Sequence, residues 1–309
     1  MTARIVVLGS LNSDLVITVP RLPQAGETVL GDRLATHAGG KGANQAVAVQ
    51  RLGGQAFMVG RVGRDSFGES LIRNLTSNGV DASGVSRDTE QPTGAALIVV
   101  ESGGQNIIAV APGANRSIGH AEVERAQARL RPGDLLVMQL EVPIAAVEQA
   151  VEAGRKAGAL ILLNAAPARP LEPSLFKQLH VLVVNEREAA VLSDEQAPAA
   201  AAEVLHHAGP QLVVVTLGRA GCILCDEAGP RSIEAFEVDA VDSTGAGDAF
   251  VGGLVCGIAG GLPADDAARL ANAAGAAATT AVGAQEALPT RDDLRRLFDL
   301  DATTWSSLT

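Results

Sequence analysis

Short, unbroken apolar runs recur along this chain at intervals that leave room for a helix between them, and this alternation restricts the fold more than any other feature. The runs are Arg4 to Leu8, Ala56 to Gly60, Asp134 to Leu140, Ala159 to Leu163, Val181 to Val184 and Leu212 to Thr216. A strand that is apolar at consecutive positions has both faces covered, as in a parallel sheet between layers of helices. The pattern therefore predicts an α/β fold with a doubly wound, mostly parallel central sheet flanked by helices. No Pro/Ser/Gly linker divides the chain and no internal repeat is visible, so 1–309 reads as one domain. The alternation fails in two places. Leu11 to Val19 and Thr28 to Thr36 flank the turn Pro20-Arg21-Leu22-Pro23, and Gly94 to Val100 and Asn106 to Val110 flank Ser102-Gly103-Gly104. These four short strands fit a small β-sheet inserted at about 11–37 and 93–112, acting as a lid or as a contact between copies. The alanine-rich run Ala197 to Ala202 reads as a loop entering a helix that ends near His206 and His207. A later helical pattern runs from Leu262 to about Ala281.

Open parallel sheets bind ligands outside the carboxyl ends of their strands. Polar residues follow several of the runs: Asn12 and Asp14, Gln139 and Glu141, Asn164, Asn185 and Glu188, and Thr216 with Gly218 and Gly221. Asn12 and Asp14 stand two apart in an extended segment and so share a face, where an amide and a carboxylate can serve the vicinal hydroxyls of a sugar. Two exposed turn residues are the competing reading. The glycines of His37-Ala38-Gly39-Gly40-Lys41-Gly42-Ala43-Asn44-Gln45 permit close backbone approach to a ligand, flanked by Lys41 and Asn44. The segment is not a P-loop, because Gly42 follows Lys41 where Ser or Thr is needed and Ala35 stands at the first glycine position. Asn185-Glu186-Arg187-Glu188 can hold the water shell of a phosphate-bound Mg²⁺, or it can cap a helix. In Asp242-Ser243-Thr244-Gly245-Ala246-Gly247-Asp248, three small residues let backbone amides approach an anion at a helix start, and Asp248 can act on a neighbouring hydroxyl. A plain helix cap competes here too.

Composition narrows the partners. A formal net charge of −11, six Phe, one Trp and no Tyr argue against a nucleic-acid platform, which needs a basic groove and stacking rings. Three cysteines suit a reducing cytosol, and Cys222 and Cys225 lie three apart in a strand-like run, facing opposite ways, which disfavours zinc or redox roles. The chain enters Ile5-Val6-Val7-Leu8 without a targeting pattern, and no window has the length of a membrane span, so the expected location is cytoplasmic. The histidines at 37, 120, 180, 206 and 207 show no ligand spacing and read as surface residues. Gly9-Ser10-Leu11 lacks the G-x-G-x-x-G that a nicotinamide dinucleotide site requires.

Taken together, Gly9-Ser10-Leu11-Asn12-Ser13-Asp14, Gly39 to Ala46, Thr93-Gly94-Ala95-Ala96, Gly113-Ala114-Asn115, Asn185-x-x-Glu188, Thr216-Leu217-Gly218-x-x-Gly221, Gly245-Ala246-Gly247-Asp248 and Gly283-Ala284-Gln285 resemble the ribokinase family, within the ribokinase-like carbohydrate kinases. The motifs occur in the family's order and span nearly the whole chain. The resemblance implies ATP-dependent phosphorylation of D-ribose at its 5-hydroxyl. It makes Asp248 the base, with Gly245, Ala246, Gly247 and Asp248 forming an anion hole. Asn12, Ser13, Asp14, Gly40, Lys41, Gly42, Ala43, Asn44 and Glu141 match positions around the sugar. Asn185, Glu188, Thr216, Leu217, Gly218, Arg219, Ala220, Gly221 and Asn272 match positions around ATP and its Mg²⁺, together with Gly247 and Asp248. Asp242, Thr244, Ala278, Ala281 and Gly283 match a K⁺ site. At Ala287 the family usually carries a Ser hydroxyl, a departure that bears on this cation. Dimerisation through the lid sheet is implied as well. The rivals are a sister kinase acting on deoxyribose, fructose, another pentose or a nucleoside, and a non-catalytic sugar-binding protein on the same fold.

Overall fold

The computed structural model describes residues 3–101, 103 and 105–298. Its thirteen strands are β1 (Arg4–Leu8), β2 (Asn12–Val19), β3 (Arg33–Gly39), β4 (Gln55–Gly63), β5 (Asp81–Asp88), β6 (Gly94–Glu101), β7 (Asn106–Ala111), β8 (Leu135–Met138), β9 (Leu160–Asn164), β10 (Val181–Asn185), β11 (Leu212–Thr216), β12 (Cys222–Asp226) and β13 (Gly229–Ile233). Nine of them form one sheet in the order β13-β12-β11-β10-β9-β8-β1-β4-β5. Every pairing from β11 through to β5 is parallel, and β12 and β13 add an antiparallel edge. Alternate residues of β1 explain the apolar run: Val7 joins one buried cluster and Val6 and Leu8 the other, on opposite faces. Cys222 and Cys225 divide between the clusters in the same way.

The remaining strands form a separate sheet ordered β3-β2-β6-β7. β2 pairs antiparallel with β3 and parallel with β6, and β6 pairs antiparallel with β7. The predicted strand Thr28 to Thr36 is corrected: pairing begins at Arg33 and runs on to Gly39, because β3 must reach Gly39 to face Asn12 across the ladder. Ser102 and Gly104 of the expected turn lie outside the described residues. Ala199 to Ala202 are also corrected, since they already belong to the Pro198–His207 helix, with Pro198 in its first turn, where a missing N–H costs nothing. The last long helix spans Ala264–Ala278, stopping short of Ala281.

β1 lies between β4 and β8, and the chain leaves it towards β4 before returning to β8 on its other side. Such a switch point opens a crevice at the carboxyl ends of the two strands. Ser10 and Asn12 follow β1 there, and Gln139 and Glu141 follow β8.

Candidate active site

The Lys41–Arg51 helix points its N-terminus into this crevice. Gly40 makes the entry with φ +89°, and a Cβ there would lie 2.7 Å from the Asn12 nitrogen. At Gly42 it would lie 2.6 Å from the Gly9 carbonyl carbon. These glycines let the helix start pack directly against the chain's own backbone at 9–12. Ala43 donates its N–H to the Ser10 carbonyl (3.0 Å) and is buried in the core, with no side-chain access to the crevice. The Glu141 Oε2 ties the same elements together, accepting from Ser10 Oγ (2.5 Å) and from the Lys41 N–H (3.0 Å).

Asn12 and Asp14 share the lid-strand face that looks into the crevice, and Ser13 between them turns to the other face. Asn12 Oδ1 accepts from Asn115 Nδ2 (2.8 Å), and Asn115 also clasps the Leu11 N–H and carbonyl (2.9 and 3.0 Å). The orientation of the Asn12 amide is thus fixed through its Oδ1. Burial, then the neighbouring Glu141, push the Asp14 carboxyl up to about 7; His37 pulls it down, while Glu286 and Asp248 push it further up.

Asp248 lies in the first turn of the Ala246–Ala259 helix and is 6% exposed. Its Oδ2 accepts from Asn44 Nδ2 (2.8 Å) and its Oδ1 from Gln45 Nε2 (2.9 Å). Both amides are themselves held. Gln285 Nε2 donates to Asn44 Oδ1 (3.0 Å), Gln139 Nε2 donates to Gln45 Oε1 (2.6 Å), and Gln45 Nε2 also reaches Asn164 Oδ1 (3.0 Å). Motif reading gives no role to Gln45, Gln139, Asn164 or Gln285, although Gln139 and Asn164 follow strands at the sheet's rim and Gln285 closes the Gly283-Ala284-Gln285 motif. Gln45 stood within a quoted motif, but nothing in sequence says what a glutamine amide will touch.

The helix that carries Asp248 is entered through Gly245 in the left-handed conformation (φ +76°). The N–H groups of Gly245, Gly247 and Asp248 have no backbone acceptor among the described residues, whereas Ala246 gives its N–H to the Ser243 carbonyl (3.2 Å). Three N–H groups at this helix start thus lack a backbone acceptor among the described residues. The Asp248 carboxylate raises the Lys41 ammonium above its usual value against the cost of burial, with Glu141 and Glu188 adding to the effect. One cation thus stands among three carboxylates.

Beside the turn opens a cavity of about 870 Å³. Thr216, Gly218, Arg219, Gly221, Ser243, Gly247, Phe250 and Asn272 line it, as do Ala235 to Ala240, which the motifs did not indicate. Leu217 and Ala220 are not among its lining residues. Asn272 Nδ2 donates to the Ile233 and Glu234 carbonyls (3.1 and 3.0 Å), so this side chain also holds the cavity wall. Asn185 and Glu188 lie outside the cavity and form a reciprocal helix cap: the Glu188 N–H donates to Asn185 Oδ1 (2.9 Å) and the Asn185 N–H to Glu188 Oε2 (2.8 Å). The capping alternative thus describes their contacts. Burial raises the Glu188 carboxyl, while the Asn185 N–H and Lys41 pull it back.

Behind the turn, Asp242 Oδ1 accepts from the Thr244 N–H and Oγ1 (2.9 and 2.7 Å), and Oδ2 accepts from the Gly283 N–H (2.9 Å). Burial works against the ionised form, but these bonds outweigh it and hold the carboxyl below its ordinary value. The carbonyls of Ala278, Ala281 and Gly283 accept no backbone N–H among the described residues, and Ala287 is a buried methyl. No group of three or more His, Cys, Asp or Glu side chains that could hold a metal occurs among the described residues. Of the histidines, His180 is half-buried, not a surface residue, and its Nδ1 accepts the Ile161 N–H (3.0 Å).

A carboxylate at a helix start beside N–H groups without backbone acceptors, a roomy cleft on one side and polar side chains on the other make the arrangement of a sugar kinase. The profile of the pfkB family carbohydrate kinases matches residues 2–291, and the chain belongs to that family. It is 37% identical to the ribokinase of Haemophilus influenzae over 298 residues, 95% of this chain and 97% of that one. It is also 37% identical to the deoxyribokinase of Salmonella typhimurium over 254 residues, 80% of this chain and 83% of the relative. The structure of Arabidopsis thaliana ribokinase complexed with ribose and ATP superposes with a TM-score of 0.88 at 29% identity, covering 97% of this chain and 100% of that one. Among the described residues no helix is long and apolar enough to cross a membrane.

The raised Asp14 carboxyl has a consequence for stability. Its ordinary value is 3.8 and its folded value about 7, so between these the folded chain binds more protons than the unfolded one, and stability is lost as pH rises through about 7. Asp14→Asn should therefore melt at a higher temperature than wild type at about pH 8, with the gap closing towards about pH 4. Thermal melts at both pH values check this, and a gap of equal size at the two would contradict it.

Proposed function

We propose that this protein transfers the γ-phosphoryl group of ATP to the 5-hydroxyl of D-ribose, giving ribose 5-phosphate and ADP. The observation that carries the reading is the placement of Asp248. Its carboxylate is held by two amides beside three uncommitted N–H groups, between the large cavity and the Asn12, Asp14 and Glu141 cluster. The cavity takes the nucleotide, with Thr216, Gly218, Arg219, Gly221 and Asn272 around it. Asn12 and Asn44 serve as donors to the sugar, and Asp14 and Glu141 as acceptors. As the 5-oxygen attacks the γ-phosphorus, Asp248 takes its proton. The new O–P bond forms while the bond to ADP breaks, and the amides of Gly245, Gly247 and Asp248 receive the developing charge. Lys41 supplies a positive charge between sugar and phosphate. The lid sheet closes over the sugar and keeps out water that could accept the phosphoryl group.

Mg²⁺ neutralises phosphate charge when bound, and the Glu188 oxygen not used in the Asn185 cap suits its water shell. The ionised Asp242, Thr244 and the free carbonyls of Ala278, Ala281 and Gly283 fit a K⁺ ion, which would place a fixed positive charge behind the anion hole. Ala287 offers no hydroxyl, so the site relies on backbone oxygens. Exposed Leu34, Leu97, Ile107, Ile108 and Val110 on the lid strands support a homodimer formed through that sheet. The compartment in this reading is the cytoplasm.

The reading is tested by an ATP-coupled assay across ribose, 2-deoxyribose, fructose and common nucleosides. Ribose should give the highest kcat/KM, exceeding 2-deoxyribose by at least about tenfold, because the Asn12 amide loses a partner when the 2-hydroxyl is missing. The equal identity to a deoxyribokinase makes 2-deoxyribose the comparison that matters, and preference for it or for a nucleoside would overturn the proposal. Replacing K⁺ by Na⁺ in the same assay should lower activity several-fold. Indifference to the exchange would mean that Ala287 marks a lost cation site.

A further inference from the structure

His37 of β3 and Glu286 of the loop after the Ala264–Ala278 helix are 249 residues apart in sequence, yet His37 Nδ1 lies 2.8 Å from Glu286 Oε1. A carboxylate only accepts, so His37 donates. The contact carries weight because of what stands on either side of it. Across the β2–β3 ladder the direct partner of His37 is Asp14. In the loop, Gly283 binds Asp242 and Gln285 binds Asn44, which in turn holds Asp248. Three residues of one short loop stretch thus reach Asp242, the Asn44 that holds Asp248, and the lid.

We propose that the His37–Glu286 pair is a strap that fastens lid strand β3 to the 279–290 loop, so that the lid presents Asp14 to the sugar in register with Asp248. Both are positioning residues, neither touching the reacting atoms. The sugar-site consequence rests on the ribose reading above; the fastening itself does not. Other side-chain bonds support the choice. Among the described residues, the other hydrogen bond from a β2 or β3 side chain to the α/β core is that of Asn12 with Asn115, at the base of the lid. His37 pairs with Asp14, two positions along the ladder from the Asn12–Gly39 pair, and holds the strand that Asn115 does not reach. The side chains are 35% and 50% exposed, so the pair is a modest fastener whose strength grows as closure removes water.

The test is a double-mutant cycle with His37→Ala, Glu286→Ala and the double variant, read in two ways. Amide hydrogen exchange without sugar should speed up roughly threefold to fivefold across Arg33–Gly39 in all three variants, while exchange in the central sheet stays unchanged. KM for ribose should rise by a similar factor, with kcat and KM for ATP within about twofold of wild type. The double variant should match either single one, since both remove the same contact. Unchanged exchange in the single variants, or effects that multiply in the double variant, would overturn the strap. A wild type that does not turn over ribose would overturn the ribose reading instead, and the exchange measurement would still decide the strap.

Discussion

A carboxylate buried beside a helix start is costly unless its oxygens are hydrogen-bonded, and the organisation of this protein's site follows from how Asp248 is satisfied. Its partners, Asn44 and Gln45, sit on consecutive positions of one helix, so one element satisfies both oxygens. Each partner is then fixed from a different part of the chain: Gln139 after β8, Asn164 at the end of β9, and Gln285 in the loop following the last long helix. Gln285 is secured in turn, because Arg51 donates to its carbonyl and to that of Leu288 (2.7 Å each). Gln139 Oε1 is a buried side-chain oxygen without a hydrogen-bond partner, the one loose end in an otherwise closed set of amides. A network of this kind fixes the orientation of the carboxylate more than it adds stability.

The sheet makes that convergence possible. With β1 between β4 and β8, the segments after β1 and β8 meet at the switch point, where Glu141 bridges Ser10 and the Lys41 N–H. The backbone of the helix start then lies against residues 9–12 so closely that only glycine fits at Gly40 and Gly42. The glycines of that motif are thus also a packing device, which brings Lys41 and Asn44 to the crevice. Asp248 is bonded to Asn44 there, and Gly247 beside it lines the large cavity.

Much of this was legible in the chain. β1 and β11 have the bounds their apolar runs predict, because strands covered on both faces write their position as continuous hydrophobicity. β5 and β13 escaped notice for the converse reason. Asp81–Asp88 is largely polar and lies at one edge, and Gly229–Ile233 lies at the other, carrying a proline that an edge tolerates. Asn12, Asp14, Asp248 and Asp242 were visible through spacing and resemblance. The amides behind Asp248, the Ala235 to Ala240 cavity wall and the His37–Glu286 contact were not, since each depends on a partner far away in sequence.

The central claim is that Asp248 removes the proton from the acceptor hydroxyl while other residues hold the sugar. Asp248→Asn preserves the shape of the side chain and removes its basicity, so it separates the two roles. Ribose binding measured by calorimetry alongside single-turnover phosphoryl transfer is the most direct test. The account predicts a dissociation constant within about threefold of wild type and a transfer rate lower by roughly a thousandfold or more. A transfer rate near that of wild type, or a loss of binding as large as the loss of rate, would contradict it.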